Sequence, residues 1–161
     1  MAAAASVFNL LNDWHVGRAL FQRWVMIPYL VYWCMALGYA TIGLGLLSGG
    51  HFNSAGHHLL LLGALGLSIL IVMAVAGRMH SGYGLDHRRW LPLAAITLLV
   101  AAVLRAGANL SSAYTPLLHS AATLWLLAWG IYLAYSWKVL AGPRPDGLAG
   151  CDEAQSKPQN N

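Results

Sequence analysis

Acidic side chains are nearly absent from this sequence: Asp and Glu together number 5 in 161 residues, and charged residues of both signs make up 9%. That leaves no paired carboxylates for hydrolytic acid–base chemistry, and no Ser-His-Asp, P-loop or dinucleotide-binding signature occurs. Cysteine is equally scarce. Cys34 lies in an apolar run and Cys151 in a polar tail, a spacing that supplies neither a disulfide framework nor a zinc site. The N-terminus, MAAAASVFNLLNDW, has no basic n-region, and Asn9, Asn12 and Asp13 interrupt its apolar residues, which argues against a cleaved signal peptide.

What the chain does have is apolar surface. Hydrophobic residues make up 58% of it, with seven Trp and seven Tyr, and the mean hydropathy is +0.58. A water-soluble domain of this size has too little polar surface to cover such a composition. Four runs, Ile27–Leu47, Leu59–Gly77, Leu91–Ala108 and Leu117–Trp137, are long enough to cross a hydrocarbon core, which takes about 17 to 25 helical residues. Short glycine-rich connections separate them, and each must lie at a membrane surface because unpaired backbone is too costly in lipid. The third run carries Arg105 near its end, where an arginine can snorkel to the interface. The expected fold is therefore all-α, a polytopic membrane protein of four transmembrane helices, with the lipid bilayer as its first partner. The expected organisation is an N-terminal cytoplasmic or interfacial segment (1–26), a transmembrane domain (27–140) and a disordered cytoplasmic tail (141–161).

Positive charge sets the expected orientation. Arg18, Arg23, Arg78, Arg88, Arg89, Lys138, Arg144 and Lys157 all fall on one side of an even number of spans, and only Arg105 falls on the other. The positive-inside rule then places both termini in the cytoplasm, and the charge reads as membrane topology with no nucleic-acid footprint. Trp24, Trp90, Trp137 and Tyr83 stand where an aromatic belt is expected. Val7, Phe8, Leu11 and Trp14 have helical spacing and suit either a helix lying on the membrane or a frayed tail. Gly38, Gly43, Gly63, Gly66, Ala94, Ala95, Ala101, Ala102, Ala128 and Gly130 are positions that permit close helix approach.

The chemistry, if any, lies in the seven histidines. His51, His57, His58 and His119 belong to one side of this topology, and His15, His80 and His87 to the other. His58 and His80 bracket the second span, about 33 Å apart along a helix, and cannot share a metal. His119, just inside the fourth span, needs a partner, a metal or the headgroup layer, because an unpaired imidazole in hydrocarbon is costly. Spans two and four begin on the same side, so His58 or His57 and His119 suit the bis-histidine arrangement of haem b. A copper site built from His51, His57, His58 and His119 is a second option, and solvated histidines at the headgroup level are a third. His87, beside Arg88 and Arg89, reads as part of a basic loop against anionic headgroups.

The stretch from His58 to Gly82, HLLLLGALGLSILIVMAVAGRMHSG, resembles the signature helix of the NnrS family, in which a His opens a glycine-rich helix that ends at G-H-T-G. Leu70, Val72, Met73, His80 and Gly82 fall into register with it. Pro143 to Gly147, P-R-P-D-G, is similar to the close of the family's C-terminal helix, and RALFQRW and the Tyr32 to Gly38 region look like an upstream stretch. Val75 stands where the family has an Arg, and Tyr83 replaces the Arg that follows its G-H-T-G. The resemblance corresponds to roughly the C-terminal third of a full-length member. It implies a haem- and copper-containing protein of the bacterial inner membrane, linked to nitric oxide metabolism and nitrosative stress, with His58, His119 and His80 as candidate cofactor ligands. The competing expectation is a non-catalytic accessory or assembly subunit. Small residues on several faces suit a homo-oligomer or a larger membrane partner. A transporter half ranks last, because the span centres carry no ionisable groups.

Overall fold

The computed structural model describes residues 1–13 and 17–147, and all regular structure among them is helical. A short helix α1 (Ala2–Asn12) and a 3-10 turn (Gly17–Phe21) precede four long helices: α2 (Arg23–Leu47), α3 (Asn53–His80), α4 (Trp90–Ala108) and α5 (Tyr114–Ala141). Each of the four is long and apolar enough to cross a membrane. Every expected span is present, and α3 and α5 run past their apolar stretches at both ends. Pro92 and Pro116 sit in the first turns of α4 and α5, where a backbone N–H has no intrahelical acceptor to lose.

The helix ends gather into two groups. Arg23, His80, Trp90 and Ala141 mark the arginine-rich end, and Leu47, Asn53, Ala108 and Tyr114 mark the histidine end. Asn109 donates to the Ser54 hydroxyl across the latter, tying α3 to α4. The third span, although it carries Arg105 near its end, is the centre of the bundle: half of α4's apolar window is buried, against 17% of α5's. Its Ala94, Ala95, Leu98, Ala101 and Ala102 are buried almost completely, so small side chains let neighbouring backbones come close. The core they join includes Ile27, Cys34, Leu67, Leu70, Ala128 and Tyr132.

The first helix stands against α2 and does not lie across a surface. Val7 and Leu11 pack with Ala36, Phe8 meets Trp33 edge-on at 5.8 Å, and the Met1 side chain closes on Gly43. The two helices are thus antiparallel, and Met1 lies toward the histidine end, away from Arg23. Trp14 and the tail beyond Gly147 lie outside the described residues.

Candidate functional site

The two motifs behind the family resemblance meet at the arginine-rich end. Gly82 (φ +75°) ends α3 as a left-handed cap: Tyr83 N–H donates to the Arg78 carbonyl at 2.9 Å and Gly82 N–H to that of Met79 at 3.1 Å. Arg144 donates to the His80 carbonyl at 3.0 Å while its guanidinium grips Asp146 through both carboxylate oxygens. A Cβ on Gly82 would stand 2.7 Å from that carboxylate. M-H-S-G is therefore a helix stop onto which P-R-P-D-G closes, and its glycine is required by backbone conformation and close approach together. The His80 ring itself is exposed.

Beside this latch, Asp86 is buried under three positively charged or N–H-bearing neighbours. It accepts from Arg88 Nε at 2.9 Å and Nη2 at 2.6 Å, from the Arg88 backbone N–H at 2.9 Å and from Trp90 Nε1 at 2.8 Å, with Arg78 at 3.6 Å. The Arg88 hydrogen bonds hold its carboxyl well below the usual carboxylate range, against the opposing effect of burial. Trp90 is 4% exposed, stacked on Tyr135 at 5.6 Å, so it is a core member and not an interfacial anchor. Trp137, 66% exposed, keeps the outward position expected of a belt residue. At this end Asp86, Arg88, Trp90, Arg144 and Asp146 are paired with one another or with backbone.

The histidine end is different. His58 is half-buried, whereas His51, His57 and His119 are exposed. His57 donates Nδ1–H to the Asn53 carbonyl one turn back. His119 projects from α5, and only its backbone is engaged, accepting from Thr123 at 2.9 Å. Among the described residues no three His, Cys, Asp or Glu side chains are gathered closely enough to hold a metal ion. His15 lies outside the described residues.

Two features distinguish the surroundings of His58. Immediately after it, Leu59–Leu65 forms a π-helical segment inside α3, a rare geometry that turns the following side chains relative to an unbroken α-helix and often marks functional positions. One turn on, Leu62 opens a groove of about 390 Å³ walled by Arg105 of α4 and by Leu118, Ala122, Trp125 and Leu126 of α5. Arg105 Nη1 is buried and has no hydrogen-bond partner among the described residues. Sequence reasoning passed over this groove because nothing in a list of apolar residues shows which helices enclose a side chain.

Four long apolar helices, with most of α5 uncovered, define a multi-pass membrane protein whose backbone polar groups are satisfied within its own helices. The chain belongs to the NnrS family: the model of that family, described as NnrS protein, matches residues 1–144. No curated protein and no solved structure matches it. The matched region takes in every helix described above and ends inside the P-R-P-D-G latch.

Proposed function

We propose that this NnrS-family membrane protein binds haem b or copper at its histidine end through His58 and serves nitric oxide metabolism in the bacterial inner membrane. The observation that supports the reading is the setting of His58. It is the one described histidine that is not exposed, it abuts the π-helical segment, and it stands a turn from a mostly apolar groove. A half-buried imidazole at the head of an apolar helix fits one ligand to a haem iron or a copper ion. Bound there, the metal would supply the coordination of nitric oxide and reversible one-electron chemistry. His58 would hold it. His119, on the exposed face of α5, suits a second ligand in a homo-oligomer or beside a larger membrane partner, and His80 is the alternative ligand at the other end. His51 and His57 remain the further copper donors of this proposal.

Absorption spectra of the purified protein, oxidised and reduced, test the reading together with metal analysis. His58→Ala should abolish b-type bands or bound copper, whereas His87→Ala should leave them in place. Protein from haem- and copper-replete cells that carries neither would defeat the proposal. That result would favour the accessory-subunit reading, which has its own support in the exposure of His51, His57, His119, Trp137 and Leu126.

The same proposal orients the arginine-rich end toward the cytoplasm. A membrane-impermeant thiol label should then reach Cys151 only from the cytoplasmic side of the membrane, since Cys34 is buried in the core. Labelling from outside intact cells would reverse every side assignment.

A further inference from the structure

We infer that the Arg105 groove is a binding site for a phospholipid with a net negative headgroup, its phosphate on Arg105 and one acyl chain along α5. The inference is independent of any cofactor at His58. Arg105 is half-buried and lines the groove, its Nη1 has no acceptor among the described residues, and an anion in the groove would offset the charge of the guanidinium and bring its own oxygens. Among the described residues no carboxylate lies there: Asp86 and Asp146 are engaged at the arginine-rich end, and Asp13 caps the end of α1 that points away from Gly43.

The shape of the groove selects the rest of the ligand. Arg105 lies three residues before the end of α4, at headgroup depth, and the α5 wall descends from Leu118 to Leu126, about 12 Å of helix. Every other wall residue is apolar. Leu126 is 64% exposed and Trp125 39%, so the groove opens sideways, toward the acyl chains of the surrounding bilayer. A polar peptide or a free inorganic anion would leave this length of apolar wall unused. A zwitterionic lipid would bring a cation for which this end has no carboxylate among the described residues, so a headgroup such as phosphatidylglycerol is preferred.

Trp125 forms part of the wall and serves as the reporter. In detergent micelles containing the purified full chain, phosphatidylglycerol with brominated acyl chains should quench tryptophan emission at about fivefold lower mole fraction than brominated phosphatidylcholine, the preference expected of one arginine near a membrane surface. Arg105→Gln should erase the difference, Arg105→Lys should retain most of it, and Trp125→Phe should remove the part of the emission that shows it. Ala122→Trp, which fills the groove and leaves the arginine in place, guards against a folding defect and should also erase the preference at unchanged helix content. Equal quenching of the unaltered protein by the two lipids overturns the inference, as does a preference that survives Arg105→Gln. Loss of a haem band in Arg105→Gln with the lipid preference intact would assign the arginine to the cofactor and likewise overturn the lipid site.

Discussion

Asp86→Asn is expected to lower stability by about 3 kcal/mol, the scale for removing one member of a buried, hydrogen-bonded charge cluster. The carboxylate is 6% exposed and serves Arg88, Trp90 Nε1 and Arg78 at once. An amide keeps a single acceptor oxygen and turns an N–H₂ toward donors. Arg88 is 56% exposed, so water makes good much of what it loses. The larger share comes from Trp90, whose indole N–H has no water to turn to, and from Arg78, 16% exposed. Arg88→Gln alone should accordingly cost under about 1 kcal/mol. Thermal unfolding in detergent, followed by circular dichroism, separates the two, and a Asp86→Asn protein as stable as the parent would refute the ranking.

The same carboxylate gives a pH dependence of definite sign. Its folded-state pKa lies below the unfolded value of about 3.9, so its contribution is fully present at neutral pH. It begins to be lost as the pH falls past the unfolded value and is gone only below the depressed folded one. The acid loss of stability should therefore be smaller in Asp86→Asn than in the parent between about pH 5 and the acid limit of the measurement.

Gly56→Leu should be the most disruptive single substitution in the apolar interior. A Cβ at this position would stand 2.7 Å from the Gly38 carbonyl oxygen and 2.8 Å from the Ile42 backbone N, and neither backbone atom can rotate aside. The helices α2 and α3 must then separate over the region where Gly38 and Gly56 face each other, undoing the packing that lipid cannot replace. Overpacking of this kind costs about 1 to 3 kcal/mol when side chains yield. Here the backbone must move, so a loss at or above the top of that range is expected. Gly130→Leu is the control, because a Cβ there meets nothing within 4 Å. Equal stability of the two variants would show that the α2–α3 approach is not tight.

Hydropathy and helix length were enough to find the four spans, because a chain in lipid has few ways to satisfy its backbone. Gly38, Gly63 and Gly66 stand at close contacts as expected, Gly130 does not, since a Cβ there meets nothing within 4 Å, and Gly56 is a close contact that the sequence does not announce. It sits in NSAGHH, a polar stretch that reads as a loop and folds as the first turns of α3. His58 was visible as a candidate from its position at the head of a family-like helix. Its half-burial was not, since burial depends on which helices stand beside it.

By itself the sequence determined that this is a four-span helical membrane protein of the NnrS type, since apolar length, charge asymmetry and motif order are properties of the chain read in one dimension. Tertiary structure alone decided that M-H-S-G and P-R-P-D-G, 64 residues apart, close on each other through Arg144 and the His80 carbonyl. It alone set Asp86 under Trp90 and turned the residues after His58 through a π-helical segment. It also left Arg105 Nη1 without a partner beside an apolar groove. The physical reason is the same in each case: the partner that satisfies or fails to satisfy a buried polar group comes from another helix, and which helix that is depends on packing geometry, which no local pattern encodes.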